Sequence, residues 1–102
     1  VDKREIIEVI KKYIFFLKEN KFPVQKVYIF GSYAKGNMHD DSDIDLAIIL
    51  SDLENSFLTQ YQLMRMRRNF DLRIEPHPFR EEDFNLGNPF VSEILSTGIR
   101  IM

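Results

Sequence analysis

A chain of 102 residues fits one compact domain and leaves little room for a second. Its 44% hydrophobic and 29% charged content is ordinary for a globular protein, and a formal net charge of −2 lacks the basic excess of nucleic-acid binders, so direct nucleic-acid binding is not expected. No cysteine is present, which excludes disulfides and thiolate zinc sites, and no stretch reaches the roughly 18 apolar residues that span a bilayer. The apolar run Tyr13 to Leu17 is flanked by lysines and followed by no small-residue cleavage site, unlike a signal peptide. A cytoplasmic location is the expectation.

The spacing predicts a first helix from about Asp2 to Asn20. Ile6, Val9, Ile10, Tyr13, Ile14 and Leu17 recur at intervals of three and four, with Asp2 as N-cap and Glu5 completing a capping box. Pro23 ends that segment. Val27 to Phe30 reads as a short strand, closed by Gly31. Gly31 to Ser42 is polar and turn-rich, opening with a helical turn around Tyr33 to Lys35. Ile44 to Leu50 is the second strand. Ile44, Leu46, Ile48 and Leu50 fall on one face, and Asp43, Asp45, Ala47 and Ile49 on the other.

Glu54 to Arg68 reads as a second helix with Phe57, Leu58, Tyr61 and Met64 inward. Arg65, Arg67 and Arg68 complement its dipole. Phe70 to Glu75 alternates and is predicted as a third strand, ended by Pro76 and Pro78. Arg80 to Phe84 forms a turn. Asn88 and Pro89 open a last helix as N-cap and N1, Gly98 closes it, and Phe90, Val91, Ile94 and Leu95 face inward. Ile99 to Met102 is a terminal edge strand. The order is that of an α/β (α+β two-layer) domain: a small mixed β-sheet packed with helices, one domain over residues 1–102.

The chemistry concentrates between Phe30 and Leu46. Asp43 and Asp45 stand two apart at a strand start, so their side chains share a face with Cα atoms about 6.5–7 Å apart. Two carboxylates that close repel, and burying them unpaired is costly. A hard divalent cation removes the conflict, since Mg²⁺ takes one or two carboxylates and completes its shell with water and phosphate oxygens. Gly31 and Ser32 follow the first strand, where glycine allows close backbone approach and free N–H groups can meet an anion. Gly-Ser after one apolar strand, then ten residues, then Asp-x-Asp opening another, suits a nucleotide–Mg²⁺ complex. It is not a Walker A loop, which needs Gly-Lys-Ser/Thr.

Phe30-Gly31-Ser32-Tyr33-Ala34-Lys35-Gly36 followed by Ser42-Asp43-Ile44-Asp45-Leu46 resembles the signature of the DNA polymerase β-like nucleotidyltransferase superfamily. The short length and single domain resemble its minimal (MNT) branch. The resemblance implies the nucleotidyltransferase fold and in-line attack of an acceptor oxygen on the α-phosphate of ATP or another NTP, with pyrophosphate leaving. It implies that Gly31 and Ser32 hold the β- and γ-phosphates and that Asp43 and Asp45 ligate Mg²⁺. A third carboxylate is expected on a later strand, as a metal ligand or general base. Asp71, between Phe70 and Leu72, matches the family's apolar-acid-apolar pattern and is preferred; Glu75, four residues on, is the other candidate.

Within the MNT branch the resemblance implies an antitoxin that adenylylates a tyrosine of a HEPN-type toxin. A partner, or a second copy in a homo-oligomer, would supply the missing part of the site. The competing readings are a non-catalytic nucleotide-binding interaction module, a small-molecule (aminoglycoside-like) nucleotidyltransferase, and template-directed polymerisation. The small-molecule enzymes usually carry an extra helical domain, and polymerisation wants a basic groove.

Other residues have plainer readings. Tyr33 is expected to pack in its turn rather than stack on a base, Lys35 to meet a phosphate or lie at solvated surface, and Asp40 and Asp41 to be solvated or capping residues. Ser42 orients the loop by a local hydrogen bond. Arg73 shares a strand face with Asp71 and Glu75, to pair with them or meet pyrophosphate. His39 and His77 lie far apart without ligand spacing, so a metal site or acid–base pair is not the expected reading. Phe79, Phe84 and Phe90 are core or partner-facing.

Overall fold

The computed structural model describes residues 3–37 and 42–102. Helix α1 (Lys3–Glu19) leads through a turn to strand β1 (Val24–Phe30). A single helical turn, α2 (Ser32–Lys35), precedes β2 (Ile44–Leu50). Helix α3 (Ser56–Met66) runs into a 3-10 turn, Arg67–Asn69, before β3 (Ile74–Arg80). A second 3-10 turn, Glu81–Asp83, leads to α4 (Pro89–Thr97) and the short β4 (Ile99–Arg100). The expected N-cap Asp2 and the loop residues His39, Asp40 and Asp41 lie outside the described residues.

The four strands form one mixed sheet in the order β3-β2-β1-β4. β1 is antiparallel to β2 and to β4, while β2 and β3 run parallel. Alternation along the strands sorts the sheet into two faces. Val27, Ile29, Ile44, Leu46, Ile48, Leu50 and Ile74 meet Ile6, Ile10, Tyr13, Ile14 and Leu17 of α1 and Leu63 of α3 in the main core. Tyr13 ties the two helices by donating its hydroxyl to the Leu63 carbonyl at 2.7 Å. On the opposite face Ala47, Ile49 and Ile94 of α4 pack with Tyr28, Phe30, Phe79 and Phe84. α4 thus extends the expected two layers by covering part of the far face. Asn88 caps it as read, its Oδ1 accepting from the Phe90 N–H at 2.9 Å.

Gly98 closes α4 in extended rather than left-handed backbone. A Cβ there would meet the Ile94 carbonyl oxygen and, 3.1 Å away, that of Ile29.

On α4 Val91 and Ile94 are buried as expected, whereas Phe90 and Leu95 are exposed. Two further expectations fail for identifiable reasons. The third strand is Ile74–Arg80, not Phe70–Glu75, and it contains both prolines. β3 is an edge strand, bonded only to β2. The Ile74 and Pro76 carbonyls accept from the Arg67 guanidinium at 2.7 Å and the Gln60 amide at 3.1 Å, away from β2. Positions 74, 76 and 78 therefore turn their backbone polar groups outward, and two prolines cost the ladder nothing.

The inward face of α3 also differs. Leu63 is fully buried, whereas Phe57 is 85% and Tyr61 56% exposed, with Leu58 exposed as well and Met64 half-buried. The face carrying Gln60, Leu63 and Met66 turns in instead: Leu63 and Met66 pack with the main core, and Gln60 donates to the Pro76 carbonyl at 3.1 Å.

Candidate active site

Sheet topology assembles the site at one edge of the far face. Because β1 and β2 are antiparallel, the end of β1 meets the start of β2, and Phe30 pairs with Asp45. Because β2 and β3 are parallel, Glu75 pairs with Asp45 from the other side. Residues of like parity then put Asp45, Glu75 and His77 on the face opposite α1. One ligand atom from each lies within 4.8 Å of the others. His77 Nε2 is 3.2 Å from Asp45 Oδ1 and 3.9 Å from Glu75 Oε1.

Gly31 closes the site from the β1 side. Its φ of 74° is in the left-handed region, and an added Cβ would fall 2.5 Å from Asp45 Oδ2. Both facts require glycine. Gly31 is also the N-cap of α2, and its carbonyl accepts from the Lys35 N–H at 3.1 Å. Ser32 is the first residue of that turn, which Gly36, also left-handed, closes. Ser42 is buried just before β2; Asp43, next to it, is exposed and lies outside the Asp45–Glu75–His77 group.

Asp71 is placed differently from expectation. It precedes β3 in a turn, its Oδ1 accepting from the Arg73 backbone N–H at 2.9 Å. The Arg73 guanidinium grips both carboxylate oxygens, at 3.0 and 2.7 Å. Those hydrogen bonds hold the Asp71 carboxyl below the usual carboxylate range, against a smaller opposing effect of burial. The structure therefore brings Glu75, and not Asp71, beside Asp45. Arg73 also donates to the Tyr33 hydroxyl at 3.1 Å, linking this turn to α2. Tyr33 itself is buried, as its plainer reading held. Lys35 pairs with exposed Glu93 at 3.0 Å.

His77 is the residue sequence reasoning passed over. Two histidines far apart in the chain, His39 and His77, give no ligand spacing. The signal was its position two residues after Glu75, which needs the strand's true bounds. Phe30 packs against the imidazole with ring centroids 5.2 Å apart. Phe79, Phe84 and Phe90 join the same aromatic row, Phe79 lying 5.3 Å from Phe84 and 6.0 Å from Phe90.

Two carboxylates side by side would repel one another. A divalent cation among these half-exposed oxygens resolves that repulsion, so the donor set fits a divalent metal. Among the described residues no helix is long and apolar enough to cross a membrane.

Comparison with known proteins gives a family and a fold. The family described as Polymerase beta, Nucleotidyltransferase matches residues 8–102. Protein adenylyltransferase MntA of Shewanella oneidensis is 44% identical over 41 residues, covering 40% of this chain but only 30% of that protein. A Methanocaldococcus jannaschii protein provisionally named a protein adenylyltransferase is 26% identical over 103 residues, covering 95% of this chain and 99% of its own. A toxin–antitoxin crystal structure with AMP-PNP superimposes with a TM-score of 0.64 at 22% identity, over 100% of this chain and 73% of that one. A structure of tri-AMPylated Shewanella oneidensis HEPN toxin in complex with MNT antitoxin gives 0.58 at 21% identity, over 90% and 67%. At such identities the structural likeness is one of fold.

Proposed function

Given that the chain belongs to the polymerase beta nucleotidyltransferase family, we propose that it transfers AMP from ATP to a protein hydroxyl, acting as a single domain in the cytoplasm. The observation that carries this reading is the pairing of Asp45 with Glu75 on parallel strands, hard against Gly31. Gly31 and Ser32 meet the β- and γ-phosphates. Asp43 and Asp45 hold the Mg²⁺ that accompanies the nucleotide, and Glu75 serves as the third carboxylate in place of Asp71.

A bound divalent cation supplies charge neutralisation of the phosphates and of the paired carboxylates. The chain's own part is positional. Gly31 brings backbone close to the triphosphate without a side chain in the way. The strand pairing fixes the carboxylates on one rigid face, so little reorganisation accompanies the reaction. The acceptor oxygen attacks the α-phosphorus in line, and the bond to pyrophosphate breaks.

The acceptor we propose is a tyrosine of a HEPN-type partner, the protein acting as antitoxin. Relatives named protein adenylyltransferases and the fold shared with an MNT antitoxin in complex with a HEPN toxin support this. The test uses Mg²⁺, α-labelled ATP, and the product of the neighbouring gene. Label on that protein, lost in Asp45→Asn, is the expected result. No label with any NTP, despite a stable complex between the two proteins, would replace this reading with a non-catalytic binding module.

A further inference from the structure

We propose that His77 is a metal ligand, joining Asp45 and Glu75 around one cation and making that position prefer a transition metal such as Mn²⁺ to Mg²⁺. The inference rests on the nucleotidyl-transfer reading and deepens it, adding a ligand to the two carboxylates, Asp45 and Glu75, that the reading sets side by side.

An octahedral ion with ligands at about 2.1 Å sets neighbouring donors about 3.0 Å apart and opposite ones about 4.2 Å apart. His77 Nε2 stands 3.2 Å from Asp45 Oδ1 and 3.9 Å from Glu75 Oε1. All three donors fall within 4.8 Å of one another. A histidine that merely oriented a ligand would touch one carboxylate from behind. This ring nitrogen is close to both carboxylates, where they converge.

The mounting is rigid. Glu75 and His77 alternate on one strand, in register with Asp45 and Ala47 of the next. Ala47 has only a methyl group opposite the imidazole, and Phe30 packs against its ring. Strand-borne ligands with packed rings keep their positions better than loop-borne ones.

Ligand chemistry then sets the preference. Mg²⁺ favours oxygen donors and retains water, whereas imidazole binds first-row transition metals more readily. Two carboxylates with one imidazole therefore tilt this position from Mg²⁺ toward Mn²⁺ and later metals. Asp43, outside the trio, leaves a second position, shared with Asp45, for the nucleotide's Mg²⁺.

Electron paramagnetic resonance of added Mn²⁺ tests this without relying on turnover. The full chain is titrated with Mn²⁺ alone, bound metal is examined for directly coordinated ¹⁴N by electron spin-echo modulation, and Mg²⁺ is then added as competitor. Expected are nitrogen coupling in the native protein and in His39→Gln, and its loss in His77→Gln. That variant should also bind Mn²⁺ at least about tenfold more weakly and release it at lower Mg²⁺. The native spectrum stands even if a variant folds poorly. Bound Mn²⁺ without nitrogen coupling, coupling that survives His77→Gln, or no Mn²⁺ binding at millimolar metal would each overturn the proposal. A parallel transfer assay separates the two claims. Nitrogen coupling without transfer supports the ligand and sinks the enzymatic reading, while Asp45-dependent transfer without coupling overturns the ligand alone.

Discussion

The Cα of Gly31 faces the Asp45 carboxylate so closely that a methyl group on it would lie 2.5 Å from Oδ2. The contact joins the turn after β1 to the first acid of β2. It makes the glycine part of the carboxylate's position.

Gly31→Ala should therefore fail twice. Left-handed backbone on a non-glycine residue and the displaced carboxylate together cost about 1–3 kcal/mol. Urea denaturation should show that loss, and transfer should fall by more than the unfolded fraction explains. A variant with native stability and activity would mean that Asp45 can move aside freely.

Glu75 and Asp71 can be told apart by charge removal. Glu75→Gln removes a charge beside Asp45, so transfer should fall by about a hundredfold or more while stability holds or rises. Asp71→Asn breaks the grip of Arg73 and should cost about 1–2 kcal/mol with less than tenfold loss of transfer. The reverse ranking would return Asp71 to the site.

Asp71 also makes a prediction about acid. Its carboxyl is depressed in the folded state, chiefly by the Arg73 hydrogen bonds. Its contribution is thus present in full above the unfolded carboxylate value of about 3.9 and disappears as pH falls through the lower folded one. In denaturation curves from neutral to strongly acid pH, the native protein's advantage over Asp71→Asn should persist to about pH 4 and shrink below it. An advantage constant to the lowest pH would show that the ion pair is not its source.

Tyr13 tests the joint between α1 and α3. Burial pushes its hydroxyl far above the ordinary tyrosine range, so it stays protonated and donates to Leu63. Tyr13→Phe should cost about 1 kcal/mol, perceptible as a lower urea midpoint. Per folded molecule, transfer should be unchanged. A large loss of activity would show that the α1–α3 joint reaches the active site.

Much of the architecture was legible from short-range patterns. The stripe Ile6, Ile10, Tyr13, Ile14 and Leu17, the alternation from Ile44 to Leu50, and the Asn88-Pro89 cap each depend on neighbours within a turn or two. The same holds for the Gly31-Ser32 and Asp43/Asp45 elements of the motif. Phe57, Leu58 and Tyr61 are exposed against expectation because helical periodicity marks an apolar face without saying what lies opposite it. The third carboxylate was harder still. Asp71 fits an apolar-acid-apolar pattern, but its nearest cation is Arg73, two residues on.

By itself, the sequence determined the helices, the central strand and the family motif, since local sterics and amphipathic period act over a few residues. Only tertiary structure decided the site's remaining members. Whether a proline may sit in a strand depends on which side of it another strand lies. β3 is an edge strand with the backbone groups of positions 74 and 76 turned away from β2. That allows Pro76 and Pro78 into it, sets the register, and delivers Glu75 and His77 to Asp45.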